Sequence, residues 1–232
     1  MLFRSQDRAA ILKPTQCLIE ELVDEALRRL QDSGAVLVEV DIANLENLDA
    51  DIGFPVALFE AGTDLPVYLE ANRTGVTLKE LVGAIASPDV KTIFEQSVIG
   101  PAAIPESVYR EAIEVLRPQL QAAYQRTFDE HALDALVFPT TPLPARPIGQ
   151  DQTVALNGRQ VSTLLTYIRH TDPDSNAGIP GVSVPIGLTG DGLPVGLELD
   201  GPAGSDRRLL AVARAVERVF GFLPAPRPPR DR

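Results

Sequence analysis

The sequence predicts an α/β fold, with a mixed sheet and helices on both of its faces. An amphipathic pattern at 19–30 is closed by Gly34 and followed at once by an apolar stretch at 35–41, and this helix–strand succession is typical of an α/β layer. Short apolar runs bounded by turn residues return later, at 135–138, 182–186 and 194–200. With 232 residues, of which 44% are apolar, the chain is long enough to bury a sizeable core.

The N-terminal half begins with one helix and one strand. Apolar residues recur at three- and four-residue steps from Ile19 to Leu30, which places them on one face of a helix. The stretch from Ala35 to Asp41 is predicted to be a largely buried strand. Residues 52–131 then have mostly helical patterns, and we expect this helical excursion to cover one face of the sheet.

Local signals predict helix ends inside the excursion. Thr77 and Glu80 have the spacing of a capping box, in which each side chain accepts a hydrogen bond from the other residue's backbone N–H. Ser87-Pro88 combines an N-cap residue with a proline at the first helical position. A long helix is expected over 105–131, and Pro118 is expected to kink or split it because proline lacks a backbone N–H.

The pattern of the C-terminal half predicts several strands followed by one last helix. The run at 135–138 is predicted to be an interior strand, and Asn157-Gly158 between apolar runs predicts a two-residue hairpin. Two further strands are expected at 182–186 and 194–200. Leu209, Leu210, Ala213, Val216 and Phe220 share one face of a helix predicted over 206–220. Residues 1–222 are expected to form one partial domain, followed by a disordered proline-rich tail at 223–232.

Composition limits the function classes that need to be considered. The formal net charge of −11 disfavours nucleic acid or anionic membrane as a partner. Cys17 is the single cysteine, so no intrachain disulfide can form; this fits a cytoplasmic location, although a secreted protein without disulfides would look the same. No apolar stretch is long enough to span a bilayer. One cysteine and two distant histidines cannot supply a closed zinc site, so we expect no metal site.

Four segments together resemble the amidase-signature family. They lie in the family's order and spacing, at 23–41, 133–142, 175–187 and 192–199. The second has the family's "D-x-L-x-x-P-T" pattern, and the third is similar to its "N-x-x-G-x-P-x-x-S-x-P-x-G" pattern. The fourth, Gly-Leu-Pro-Val-Gly-Leu-Glu-Leu, is similar to "G-L-P-x-G-x-Q-L", with Glu198 at the usual glutamine. The resemblance implies that this chain is the C-terminal portion of an amidase-signature fold.

The resemblance also implies a reaction. Family members hydrolyse small carboxamides through an acyl-enzyme and without a cofactor, and the similarity is greatest to bacterial amidases acting on aryl-acetamide or mandelamide-type substrates, with aryl esters as a side activity. They use a Ser–cis-Ser–Lys triad in a Gly/Ser-rich segment upstream of the four segments. These 232 residues contain no Gly-Gly-Ser or Ser-Gly-Gly, and Lys13, Lys79 and Lys91 are the only lysines. We expect either a truncated or processed piece, or a short protein that has lost or replaced this machinery.

A second interpretation is a small esterase that works alone. Gly181-Val-Ser183-Val-Pro185 resembles a nucleophile elbow, but proline stands where the elbow needs its second glycine. In this interpretation Ser183 is the nucleophile, His170 its general base, and Asp172 or Asp174 orients the imidazole. The structural alternative for Ser183 is a buried hydroxyl bonded to backbone within a strand. His131 is assigned a structural role at the end of a helix.

The substrate-binding residues follow partly from position and partly from the resemblance. Thr140 and Thr141 lie at the carboxyl end of a predicted strand, where α/β sheets usually bind ligands. Tyr167, Arg169 and Asn176 lie in a segment that lines the substrate pocket in the family, with Asn176 expected to fix a loop by bonding backbone. Arg169 and Asp172 form either a charged pocket or a loop salt bridge.

A third interpretation is a remnant without catalytic function. Such a chain would associate with a second copy through an exposed edge of its sheet, as a homodimer.

Overall fold

The computed structural model describes residues 8–12 and 19–225, with only the backbone described for 8–12. The chain divides into two compact units. The first, called the sheet unit here, comprises 1–41, 127–145 and 179–232, and the second, called the helical unit, comprises 42–126 and 146–178. Of the tail predicted to be disordered, 223–232, the part from residue 226 onward lies outside the described residues.

The elements in chain order are β1 (Arg8–Leu12), α1 (Glu20–Asp32), β2 (Val36–Val40), α2 (Leu45–Ala71), α3 (Leu78–Ala84), α4 (Pro88–Ser97), α5 (Glu106–Glu111), a π-helical segment (Ala112–Leu116), α6 (Arg117–His131), β3 (Ala135–Pro139), β4 (Thr153–Leu156), β5 (Arg159–Ser162), α7 (Thr163–Ile168), α8 (Asp172–Ala177), β6 (Gly181–Leu188), β7 (Pro194–Asp200) and α9 (Asp206–Phe220). The predicted α/β class is confirmed. Among the described residues, no helix is both long enough and apolar enough to cross a bilayer.

The sheet unit contains a mixed sheet of five strands in the order β2-β1-β3-β7-β6. β1 pairs in parallel with β2 and β3, whereas β7 pairs antiparallel with both β3 and β6. One face of the sheet packs against the apolar stripes of α1 and α9, which form the core of this unit. The core residues are Ile19, Val23, Ala26, Leu30, Ala135, Val137, Val184, Ile186, Val195, Leu197, Leu199, Leu209, Ala213 and Val216.

Two burial expectations in the sheet unit are wrong in part. The strand at 36–40 forms as expected, but Val36 is 40% exposed because β2 is an outer strand of the described sheet. α9 forms over the predicted residues, but Leu210 is 62% exposed while Leu209 and Ala213 are buried. The apolar stripe of α9 is therefore narrower than the sequence suggested. The interior strand prediction is confirmed, since all five residues of β3 are buried.

The face of β3, β6 and β7 opposite the core carries both apolar and polar side chains. Ser183 of β6 lies directly across from Glu198 of β7, and Glu198 in turn lies across from Phe138 of β3. Residues directly opposite one another in an antiparallel pair point to the same side of the sheet. The sheet therefore brings Ser183 and Glu198 together, although fifteen positions separate them in the sequence.

The helical unit is built around α2, a helix of 27 residues that contains two prolines. Tyr109 of α5 stacks on Phe59 of α2 with 4.2 Å between ring centroids, and its hydroxyl donates to Glu60 Oε1 at 3.0 Å. A kink or split was expected at Pro118, and a π-helical segment ends at Leu116, two residues before this proline. Because proline cannot donate to the carbonyl four residues earlier, a widened turn is a reasonable local response.

Most helix-end and turn predictions are confirmed. Thr77 and Glu80 make the reciprocal bonds of a capping box. Ser87 is the N-cap of α4 with Pro88 at the first position, but the serine side chain makes no capping bond. The hairpin of β4 and β5 turns through Asn157-Gly158, both with positive φ (48° and 75°), as a two-residue hairpin turn requires.

Candidate functional site

Three polar side chains meet on the face of the sheet opposite the α1–α9 core, and we call them the hydroxyl–carboxylate cluster: Thr140, Ser183 and Glu198. Thr140 follows β3, and its backbone N–H donates to Gly196 O at 3.0 Å, so it continues the pairing of β3 with β7. Its Oγ1 lies 2.5 Å from Ser183 Oγ, and its side chain also hydrogen-bonds Glu198. Thr140 therefore links an exposed serine to a buried carboxyl group.

Gly196 leaves the space that this cluster occupies. A Cβ at position 196 would collide with Ser183 Oγ and would lie 2.8 Å from Thr140 Oγ1. Both hydroxyls thus pack directly over the glycine backbone. We conclude that the glycine is required here by close approach of side chains rather than by its φ angle.

Burial controls the charge of Glu198. The side chain is only 6% exposed, and loss of hydration raises the pKa of the carboxyl group above its ordinary 4.5. The hydrogen bond from Thr140 acts in the opposite direction and lowers the pKa, because it stabilises the charged form.

Two further contacts lie next to the two ends of β3. Thr141 Oγ1 donates to Leu143 O at 2.8 Å, which closes the turn next to the cluster. At the start of β3, Arg208 of α9 donates to the carboxylate of Asp134. The strand that delivers Thr140 is therefore held near both of its ends.

A second polar group lies in the helical unit, between α2 and α8, and we call it the carboxylate–amide cluster: Asp49, Asp172 and Asn176. Asn176 Nδ2 donates to Asp49 Oδ1 at 2.7 Å, and the same side chain hydrogen-bonds Asp172. Gly53, one turn along α2 from Asp49, permits this approach. A Cβ there would lie 2.7 Å from Asp172 Oδ2 and 2.9 Å from Asn176 Nδ2.

The two carboxyl groups of this cluster are both harder to ionise than usual. Partial burial raises the pKa of Asp49 from 3.8 to about 6; the hydrogen bond from Asn176 opposes this increase, and the negative charge of Asp172 adds to it. Burial also raises the pKa of Asp172, again opposed by Asn176. Among the described residues there is no group of three or more His, Cys, Asp or Glu side chains that could hold a metal ion.

The residues of the predicted serine triad belong to different units. Ser183 lies in β6 of the sheet unit, as its strand pattern predicted, whereas His170 lies in the turn between α7 and α8 of the helical unit. Asp172 and Asp174 are in α8. The expectation of a buried Ser183 hydroxyl bonded to backbone is wrong, because Ser183 is exposed and bonds the side chain of Thr140.

The predicted substrate-binding residues are distributed over both units. Thr140 and Thr141 lie after β3 as expected, whereas Tyr167 is in α7 and Arg169 directly follows that helix. Asn176 is within α8, not in a loop, and its side chain binds carboxylates instead of backbone. Asp172 hydrogen-bonds Asn176 in the same helix, and a pairing of Asp172 with Arg169 stays a prediction.

Sequence reasoning missed three participants. Glu198 was noted as a departure from a family pattern, and that departure was the available signal for it. For Asp49 the sequence offered no signal, because this residue is one of many acidic residues on a helix. Its partner, Asn176, is 127 positions away. Gly196 was visible only as part of a motif, and its reason, the two hydroxyls above it, depends on strand pairing.

A family model and two known hydrolases each match most of this chain. The family model described as "Amidase" matches residues 11–210. An indoleacetamide hydrolase from Agrobacterium vitis is 44% identical over 199 residues, which cover 86% of this chain and 42% of that protein. A mandelamide hydrolase from Pseudomonas putida is 38% identical over 219 residues, with 90% and 42% covered. The chain thus spans less than half the length of these relatives.

Solved structures agree with the fold. A crystal structure of an amidase superposes with a TM-score of 0.73 at 24% identity, covering 93% of this chain and 46% of that one. The peptide amidase from Stenotrophomonas maltophilia gives a TM-score of 0.66 at 24% identity, covering 93% and 43%. At these identities the similarity is evidence for a shared fold alone.

Proposed function

Because the chain belongs to the Amidase family, we propose that its 232 residues are the C-terminal part of an amidase-signature hydrolase acting on small aryl-substituted carboxamides. One observation carries this proposal: the similarity to indoleacetamide and mandelamide hydrolases extends over 86% and 90% of the chain. Both of those names describe an aryl group close to a primary carboxamide. The reaction would add water across the C–N bond, releasing a carboxylic acid and ammonia through an acyl-enzyme.

The proposed division of labour follows from what the sequence contains. A serine nucleophile needs a base and preorganised oxyanion donors, and in the family these lie in a Gly/Ser-rich segment. The 232 residues contain no Gly-Gly-Ser or Ser-Gly-Gly. We therefore assign the chemical step to that segment and substrate contacts to this chain. Thr140, with its hydroxyl at the carboxyl end of β3, is the substrate-facing residue best supported by its surroundings.

The other earlier interpretations stay predictions. The esterase built on Ser183 and His170 combines residues that belong to different units, and it remains a prediction. Self-association through a sheet edge is compatible with β2 and β6 as the outer strands of the described sheet, and sedimentation would test it. Cytoplasmic location and independence from cofactors also remain expectations.

The experiment that tests the proposal is a fusion. The nucleophile-bearing segment of the Agrobacterium vitis indoleacetamide hydrolase, placed ahead of this chain, should give a protein that releases ammonia from indoleacetamide or mandelamide. The chain alone should release none above background, because without nucleophile and oxyanion donors little barrier reduction survives.

Two controls make the fusion informative. The same fusion with its nucleophilic serine changed to alanine should be inactive. The unmodified relative, assayed in parallel, establishes that the assay detects turnover. A folded fusion that hydrolyses neither amide, beside an active relative, would refute the proposed substrate class.

A further inference from the structure

We propose that Asp49 is a positioning residue: by holding Asn176 it fixes α8 to α2, and it thereby sets the place of the segment 167–171 for substrate binding. The inference rests on the proposed function, because it assigns part of this chain's substrate contacts to that segment. Asp49 itself is given no contact with the substrate and no part in the chemical step.

α8 is too short to hold its position without help from its neighbours. It has six residues, and helices of fewer than about 12 residues are only marginally stable without packing. Pro173, Asp174 and Ala177 are its buried residues, whereas Asn176 is partly buried and uses its side chain for a polar contact with α2. The place of α8 therefore depends on what the neighbouring helices offer it.

Two long-range hydrogen bonds hold the C-terminal turn of α8. Asn176 Nδ2 donates to Asp49 Oδ1 of α2 at 2.7 Å, across 127 positions of sequence. Gln121 Nε2 of α6 donates to Ala177 O at 3.0 Å, across 56 positions. These bonds tie the short helix to two long helices that are distant from it in the sequence.

The glycine at position 53 makes the close contact with α2 possible. A Cβ there would lie 2.7 Å from Asp172 Oδ2 and 2.9 Å from Asn176 Nδ2, and both distances are too short for a real contact. The polar side chains of α8 therefore lie directly over the backbone of α2, one turn from Asp49. The bond from Asn176 to Asp49 then fixes where along α2 the short helix lies.

Further hydrogen bonds connect α8 to the turn that precedes it. Ser175 Oγ donates to Thr171 O at 2.7 Å, and the backbone N–H of Thr171 donates to Ile168 O at 3.0 Å. These bonds join α8 to the last residue of α7 across the turn that contains Arg169 and His170. Displacement of α8 would therefore move this turn with it.

The segment 167–171 contains Tyr167 and Arg169, two of the predicted substrate-binding residues, and Arg169 is exposed. A side chain that is already held in place loses less freedom on binding a ligand than a mobile one, which favours binding. The proposed function places the chemical step in another segment. Loss of the anchor at Asp49 should therefore weaken substrate binding and leave the chemical step unchanged.

The first measurement is amide hydrogen exchange of the 232-residue chain, read at Thr171 and Gly178, whose N–H groups donate to backbone carbonyls at the two ends of α8. Asp49→Ala should speed exchange of these two amides about tenfold, the effect of losing one hydrogen bond, and leave the amides of α9 within about twofold. Asp49→Asn keeps an oxygen that accepts from Asn176 and should not speed exchange. Asp51→Ala removes an exposed carboxylate from the same helix and should have no effect.

The second measurement is steady-state kinetics of the same variants in the fusion, with whichever of indoleacetamide and mandelamide the unmodified fusion hydrolyses faster. Asp49→Ala should raise KM about fivefold to tenfold and leave kcat within about twofold, because it removes binding that the substrate and the transition state share. Asp49→Asn and Asp51→Ala should leave KM within about twofold. A merely structural role would lower kcat through loss of folded protein and leave KM unchanged.

Gly53→Ala provides a second route to the same state, because it displaces Asn176 instead of removing its partner. It should speed exchange at Thr171 and Gly178 and raise KM as Asp49→Ala does. Should Asp49→Ala fail to fold, Gly53→Ala carries both measurements. Gly62→Ala, on the same helix, meets only ordinary contacts and serves as its control.

Unchanged exchange at Thr171 and Gly178 in folded Asp49→Ala would overturn the inference whatever the fusion does. An active fusion in which Asp49→Ala changes kcat alone, or in which Asp49→Asn loses substrate binding as Asp49→Ala does, would overturn it too and leave the proposed function standing. An unmodified fusion that is folded but inactive, beside an active relative, refutes the proposed function itself, and the assignment of substrate contacts to the segment 167–171 falls with it.

Discussion

Replacement of Asp49 by asparagine should stabilise the chain at neutral pH. Asp49 is half-buried beside a second carboxyl group, that of Asp172, and its ionisation in the native state is therefore unfavourable. Asparagine keeps an oxygen that accepts from Asn176 Nδ2 and gains an N–H₂ that can donate to Asp172. The variant removes the charge while retaining the shape of the carboxylate–amide cluster.

The size of the expected change in the free energy of unfolding follows from the raised pKa of Asp49. An increase from 3.8 to about 6 corresponds to a ceiling of about 3 kcal/mol, at about 1.36 kcal/mol per pH unit. Because Asp49 is partly exposed, solvent screening reduces this, and we expect Asp49→Asn to gain about 1 kcal/mol at pH 7.5. The folded state binds the proton more tightly than the unfolded state. Stability from this group is therefore fully present below about pH 4 and lost as pH rises through about 6.

Urea unfolding of both proteins at several pH values between 4 and 8 measures this effect. The free energy of unfolding of Asp49→Asn should exceed that of the unmodified chain at pH 7.5, and the difference should shrink toward zero at pH 4. Asp51→Asn, an exposed change on the same helix, serves as the control and should show no such convergence. A difference that is independent of pH, or a loss of stability in Asp49→Asn at pH 7.5, would refute the reasoning.

Two further predictions concern packing. Gly53→Ala should destabilise the chain by about 1–3 kcal/mol, because its Cβ would clash with Asp172 and Asn176, whereas Gly62→Ala on the same helix meets only ordinary contacts and should gain about 0.5–1 kcal/mol in urea unfolding. Leu197→Ala, at a fully buried position in the sheet unit, should cost about 2–5 kcal/mol, and a cost below about 1 would contradict the core assignment. Leu210→Ala, on the exposed face of α9, should change stability by less than about 0.5 kcal/mol.

Local chemistry made much of the fold predictable. Hydrophobic periodicity located α1 and α9, and the capping box located the start of α3. The Asn157-Gly158 pair located the hairpin. Each of these signals acts within a few residues. Burial was less predictable, since it depends on a strand's neighbours. Val36 is exposed because β2 has one partner in the described sheet, a fact that no local pattern contains.

The candidate sites were harder to predict than the elements that carry them. Thr140 and Ser183 could be named from motifs, but their contact is set by the pairing of β3, β7 and β6. Asn176 was expected to bond backbone in a loop, and in the structure α8 turns it toward Asp49 instead. Long-range pairing decides what a polar side chain meets, and hydrophobic periodicity leaves that undetermined.

The most direct test of the central claim, that this chain supplies amidase substrate contacts and leaves the nucleophile to another segment, is covalent labelling by a fluorophosphonate. The probe should be applied to the 232-residue chain and to its fusion with the nucleophile-bearing segment, and the site of attachment mapped by peptide mass spectrometry. We predict one adduct in the fusion, on the serine of the added segment, and none on the chain alone. An adduct on Ser183 of the chain alone, lost in His170→Ala, would contradict this account and favour the independent esterase.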